Sequence, residues 1–246
     1  MAVLAGYAHL QRAAERLQWD EAALALRADA PAARALAPDR RSALRRLVAG
    51  FCVAERAVAE HLEPFGLCAA DDALRALFEA QAADERRHAR FFERVAREVL
   101  DLDPGAGAAA LAAPALHRLF GSELPTRARA LAAGQAELGD AVALYHLVLE
   151  GAVLQTGQDA LLELLDEAGT LPAVRDGVAR VQADERWHVG LGVACLLGLG
   201  APPPDLERLL EDAVRCWDAD LVDGALTRAR LRRRLDLLAE GAGRRA

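Results

Sequence analysis

Two stretches, Gln81-Ala-Ala-Asp-Glu-Arg-Arg-His88 and Val181-Gln-Ala-Asp-Glu-Arg-Trp-His188, repeat one another nearly letter for letter. Each carries Asp-Glu-x-x-His among residues of good helix propensity. Three residues is close to one helical turn, so Glu85 and His88 share a face, as do Glu185 and His188. Each helix can then offer a carboxylate oxygen and an imidazole nitrogen to a metal. The doubling points to a carboxylate-bridged pair of metals.

Outward from the repeat, prolines and glycines cut the chain into helical blocks. Pro38-Asp39 opens a helix that runs to about Glu63, where Pro64 and Gly66 stop it. A second begins near Ala70, carries the first motif and ends near Asp103-Pro104-Gly105. The Ala-, Gly- and Pro-rich stretch from Gly105 to Pro125 reads as a long crossover with a short helix inside it. A third helix spans roughly Pro125 to Glu167, with a break expected near Gly134 to Gly139. Gly169 to Pro172 turns the chain into a fourth, which carries the second motif and ends near Gly198 to Pro204. Two further helices are expected, over about 205–222 and 225–240. Two helix pairs joined by a crossover suit a four-helix bundle in which each pair supplies the same ligands.

The 246 residues, 53% hydrophobic and 27% charged, suffice for one large domain over 1–246 with its bundle core at about 40–200. Ala, Leu, Arg and Glu dominate and aromatics are 4%, so little or no sheet is expected. A net charge of −7 offers no general basic field for nucleic acid. The one basic cluster, Arg228 to Arg234, reads as a solvated helix face. Cys52, Cys68, Cys195 and Cys216 form no Cys-x-x-Cys pair, which excludes the usual thiolate zinc and redox motifs and fits reduced thiols in a cytoplasmic protein. Met1 to Leu10 is apolar but lacks a charged leader, so no export signal is expected, and no apolar run is long enough for a membrane span.

A dimetal carboxylate bundle needs one Glu from each of two helices besides a Glu-x-x-His from each of the other two. Glu55, in Phe51-Cys-Val-Ala-Glu-Arg-Ala-Val58, and Glu150, in Tyr145-His-Leu-Val-Leu-Glu-Gly-Ala-Val-Leu154, both sit in apolar stretches where an unpaired carboxylate is costly. They precede Glu85 and Glu185 by 30 and 35 residues, about the length needed to descend one helix and return along the next. The expected metal ligands are therefore Glu55, Glu85, His88, Glu150, Glu185 and His188, a set that suits iron and manganese. Asp84 and Asp184 sit about 100° round the helix from the ligand glutamates. A metal-bound histidine usually donates its second N–H to a carboxylate, which pairs Asp84 with His188 and Asp184 with His88. The competing reading is a surface salt bridge to the adjacent arginines. His146 reads as a packing or hydrogen-bonding residue, and Cys52 and Cys195 as small inward-facing ones.

Ala54-Glu-Arg-Ala-Val-Ala-Glu-His-Leu-Glu-Pro64, Asp84-Glu-Arg-Arg-His-Ala-Arg-Phe-Phe92, Tyr145-His-Leu-Val-Leu-Glu-Gly-Ala-Val-Leu-Gln-Thr-Gly157 and Leu171-Pro-Ala-Val-Arg-Asp-Gly177 with Asp184-Glu-Arg-Trp-His188 resemble a known group. They are similar to the ligand-binding oxidases homologous to the small subunit of ribonucleotide reductase, over roughly residues 40 to 200. The resemblance implies an all-α, ferritin-like four-helix bundle with additional helices, a homodimer, and a mixed Mn and Fe cofactor or two Fe. It implies an O2-driven two-electron C–H oxidation, a long-chain fatty-acid-like or other apolar ligand beside the metals, and an ether crosslink between a valine and a tyrosine. Offset from the ligand glutamates assigns these to Val58 and Tyr145. Tyr145 stands five residues before Glu150, about 140° round a regular helix, so it must reach from the flank or be re-aimed by a local bulge. The chain is shorter than the usual members, which implies a reduced or differently closed ligand tunnel.

Two other readings stay open at this level: a radical-generating ribonucleotide reductase small subunit, and a ferritin-like iron-binding protein without oxidase activity. Against the first stands Phe92, four residues after His88, where such subunits commonly carry their radical tyrosine. Against the second, acids beyond the six ligands show no concentration of the kind storage shells use.

Overall fold

The computed structural model describes residues 6–200 and 206–243, and every regular element within them is helical. The first five residues and the proline run at Pro202 to Pro204 lie outside the described residues. α1 (Tyr7–Arg16) and α2 (Ala30–Ala35) lead into α3 (Pro38–His61), which Pro38 opens at a position where a missing N–H costs nothing. One turn, α4 (Glu63–Leu67), returns the chain to α5 (Asp72–Arg94). Asp71 caps α5 by accepting a hydrogen bond from Leu74 N at 2.8 Å, and a π turn carries the helix on to Val99.

The crossover is more helical than its composition implies. α6 (Ala106–Leu111) is followed by α7 (Pro114–Arg118), which winds through a π turn into α8 (Leu124–Ala132). Pro125 follows the π turn directly, and the helix runs on past it. After a break, α9 (Leu138–Val142) passes into a twelve-residue π segment, Ala143–Leu154, and continues as α10 (Gln155–Ala168). Gly169 ends α10 at φ 63°, and Pro172 opens α11 (Pro172–Leu199). α12 (Glu207–Val214) and α13 (Gly224–Gly243) follow. The first of these stops well short of the expected 222. The chain leaves the helix so that Trp217 enters the bundle, where its Nε1 donates to Val153 O at 2.9 Å and its ring lies 4.9 Å from that of Phe51. Helix α1, before Pro38, has no counterpart in the sequence reading.

Four long elements close the bundle: α3 packs on α5, the π segment and α10 on α11, α5 on α11, and α3 on α10. α1 covers the seam between α5 and α11, and α13 lies on the π segment. All twelve residues of that segment are buried, which is why it reads as uniformly apolar. Gly192 of α11 makes this packing fit, since a Cβ there would stand 2.1 Å from Cβ of His146. The basic cluster is a solvated face only in part. Arg232 and Arg233 are exposed, but Arg230 and Arg234 turn inward and donate to Gln155 Oε1 at 3.1 and 2.9 Å. No helix among the described residues is long and apolar enough to cross a membrane.

Candidate metal centre

Glu55 comes from α3, Glu85 and His88 from α5, Glu150 from the π segment, and Glu185 and His188 from α11; all six are fully buried. Their donor atoms form two quartets, Glu55–Glu85–His88–Glu185 and Glu85–Glu150–Glu185–His188, each spanning no more than 4.8 Å. Glu85 and Glu185 belong to both, so two cations seated here would share two carboxylates. Both imidazoles present Nδ1 to the cluster. That of His88 is 3.1 Å from Glu85 and 3.7 Å from Glu185, and that of His188 is 2.9 Å from Glu85 and 3.3 Å from Glu150 and Glu185.

Each Nε2 turns outward to the aspartate of the other repeat. His88 meets Asp184 Oδ2 at 3.0 Å, and His188 meets Asp84 Oδ2 at 3.4 Å. The aspartates also pair with an arginine, but a buried one. Arg87, 6% exposed, donates to Asp84 at 2.6 Å and to Asp184 at 3.0 Å. Half-buried Trp19 donates its indole N–H to Asp184 at 2.8 Å, and its ring stacks beside His88 with centroids 6.4 Å apart.

The π segment re-aims Tyr145. Its i→i+5 pattern stacks residues five apart, where a regular helix would set them on different faces. Tyr145 therefore stands over Glu150, and its hydroxyl bridges Glu150 Oε1 and Glu85 Oε1, the latter at 2.8 Å. Gln81 holds the arrangement from α5. Its amide donates to Glu150 Oε1 at 2.8 Å and to Tyr145 Oη at 3.3 Å, and its oxygen accepts from His146 Nε2 at 3.0 Å. Burial, with the nearby charge of His188, lowers His146 to a pKa of about 3, so the ring is a neutral donor. Val58 lies one turn beyond Glu55 on α3 and is fully buried. Cys52 donates to Phe92 O at 3.4 Å, and burial pushes its thiol up to about 12.

Sequence reasoning did not find Gln81, Trp19 or Arg87 in these roles. Gln81 had a signal: its counterpart in the other repeat is Val181, so one copy alone places an amide on the inward face. Trp19, 165 residues from Asp184, has none.

The cluster is electrostatically incomplete by itself. Burial holds Glu55 and Glu150 well above the usual carboxylate range, and Glu185 is raised by burial and by Glu85. Burial would raise Glu85 too, but the imidazoles of His188 and His88 pull it well below. Both oxygens of Glu55 and one of Glu150 have no hydrogen-bond partner. Buried oxygens in that condition call for a cation.

No protein-family model matches the chain. Solved structures do. An R2-like ligand-binding oxidase with a valine-to-leucine substitution and an anaerobically reconstituted Mn/Fe cofactor superposes with a TM-score of 0.76 at 21% identity, over 96% of this chain and 93% of that one. A tyrosine-to-phenylalanine variant with an aerobically reconstituted Mn/Fe cofactor gives 0.76 at 20% identity over the same shares. A glycine-to-leucine variant with a non-activated Mn/Mn cofactor gives 0.76 at 21%. The chain thus has the fold of the R2-like ligand-binding oxidases, a ferritin-like helical bundle.

Proposed function

We propose that this chain is an oxygen-activating dimetal-carboxylate oxidase, with its metals held by Glu55, Glu85, His88, Glu150, Glu185 and His188. The observation that carries this reading is the pair of interlocking quartets, fully buried and sharing Glu85 and Glu185. Two divalent cations would balance the four carboxylates, with both imidazoles neutral, and would give the orphaned oxygens of Glu55 and Glu150 their partners. The donor set suits Mn and Fe, or two Fe, and the structural neighbours that carry Mn/Fe support the mixed pair. Bound there, such metals would supply the reduction of O2 and the oxidising power to break a C–H bond.

The chain's own residues do the positioning. Asp184 and Asp84 accept the outer N–H of His88 and His188, which leaves each Nδ1 free to bind a metal. Phe51 and Phe92, stacked with centroids 4.5 Å apart and fully buried, help keep water from the cluster. Gln81 orients the Tyr145 hydroxyl. The finer reading is an ether bond from Tyr145 Oη to a side-chain carbon of Val58. It would remove one hydrogen from each residue, with both electrons passing to O2. The hydroxyl beside Glu85 and Glu150 supports it, as does the buried place of Val58 one turn from Glu55. The resemblance supports a long-chain fatty-acid-like or other apolar ligand and a cytoplasmic homodimer. Phe92, packed in apolar surroundings, favours an oxidase over a radical-generating small subunit.

Aerobic reconstitution with Mn and Fe, followed by elemental analysis and intact mass, tests the reading. Two metals per chain are expected, with a mass lower by two hydrogens that Tyr145→Phe restores. Fewer than two metals per chain overturns the centre. Two metals with unchanged mass overturn only the crosslink. Iron retained far beyond two per chain would favour storage instead.

A further inference from the structure

A groove of about 710 Å3 runs between α11 and α13, bordered by the start of α10. That volume falls in the range of small-molecule sites. Its apolar lining is Val189 and Val193 of α11, both buried, and Leu226 and Leu237 of α13, which stand on either side of the arginines along that helix; Leu226 is 53% exposed. Its polar lining carries four guanidiniums, Arg186, Arg230, Arg233 and Arg234, against the single carboxylate of Asp159. Four cations and one anion leave three positive charges, a local reversal in a chain of net charge −7.

A ladder of amides holds three of the arginines, Arg186, Arg230 and Arg234, in place. Arg186 donates to Gln182 Oε1 at 3.2 Å, and Gln182 donates to Asp159 at 2.8 Å. Arg230 pairs with Asp159 and donates to Gln155 Oε1, which also accepts from Arg234. Gln155 is itself only 5% exposed. Arg234 ends the ladder against Gly151, beside Glu150, and no carboxylate among the described residues pairs with it. Its Nε is buried with no partner. Burial, then the charges of Arg230 and Arg233, lowers the guanidinium's pKa from its ordinary value. Arg234 is half-buried and Arg233 exposed, and neither has a carboxylate partner among the described residues, so this wall can take an anion.

We infer that the groove binds a phosphate monoester joined to an apolar tail, with Arg230, Arg233 and Arg234 on the phosphate and the tail leaving it along α13 past the exposed Leu226. Guanidinium forks match phosphate oxygens two at a time, and three net positive charges suit a dianion better than a single carboxylate. None of these residues belongs to the carboxylate–imidazole cluster. The groove stands whether or not metals bind.

Calorimetric titration of the full chain with dodecyl phosphate, kept below its micelle concentration, tests the inference. One molecule should bind per chain, and added salt should weaken it. Arg234→Gln and Arg233→Gln should each weaken it about tenfold or more. Leu226→Glu, at an exposed position that carries no folding risk, should abolish it. Inorganic phosphate should bind more weakly, because it leaves Leu226 uncovered. Dodecanol binding as tightly as dodecyl phosphate overturns the proposal, and so does binding that both Arg233→Gln and Leu226→Glu leave unchanged. Capture by phosphatidic acid vesicles without binding of dodecyl phosphate would assign the surface to a membrane, which also overturns it. Melting curves check each variant's fold.

Discussion

Gln81 shows how much one side chain decides at the centre. It donates to Glu150 and Tyr145 while accepting from His146, so three groups from the π segment depend on one amide. Gln81→Leu should cost about 1–3 kcal/mol in denaturant unfolding, because it strands buried polar atoms. It should also lower the yield of the Tyr145 link, read by intact mass, without changing the metal count. The glutamates divide differently. Glu85 and Glu185 belong to both quartets, so Glu85→Ala or Glu185→Ala should remove both metals. Glu55→Ala or Glu150→Ala should spare one, and elemental analysis after reconstitution distinguishes these outcomes. At this scale the sequence spoke clearly for the six candidate ligands, since type, spacing and apolar setting are local properties. It was silent on Trp19, and it gave the arginines beside the aspartates only a surface pairing, because the burial of Arg87 between Asp84 and Asp184 arises only when distant segments meet.

The elements explain why the tyrosine offset looked wrong on a regular helix. Residues 143–154 are apolar in either a π or an α helix, so burial and composition cannot separate the two; the five-residue offset from Tyr145 to Glu150 left a flank approach or a local bulge open, and did not give the twelve-residue length of the π stretch. Its consequence is the face shared by Tyr145 and Glu150. Packing maintains it, with Gly192 of α11 pressed against His146. Gly192→Ala should therefore destabilise the fold by about 1–3 kcal/mol, measured by thermal melting. It should also weaken metal retention, because the overlap forces apart the two elements that carry Glu150 and Glu185. A variant that melts like the parent would show that the two elements are not in such close contact. The crossover and the region before Pro38 were the least legible elements, since Ala, Gly and Pro serve short helices and loops alike.

For the whole molecule, the centre makes folding and metal binding one problem. The bundle brings four carboxylates into its interior, and a bound metal pair should stabilise the folded state by mass action. The gain is about 2.7 kcal/mol when free metal is a hundredfold above its dissociation constant. Chelation and dialysis should lower the melting temperature, and restoring Mn and Fe should recover it. Equal melting with and without metal, in a chain that binds none, would leave a purely structural bundle.

The sequence by itself determined the all-α class, the four ligand-bearing helices and the six candidate ligands, because helical periodicity places residues three or four apart on one face whatever the surroundings. Only the tertiary structure decided that Glu85 and Glu185 enter both quartets, that one buried arginine joins the two aspartates, that Tyr145 is turned over Glu150, and that Arg234 has no carboxylate partner among the described residues. Each of these depends on the distance between segments far apart in the chain, which packing sets and local propensity does not encode.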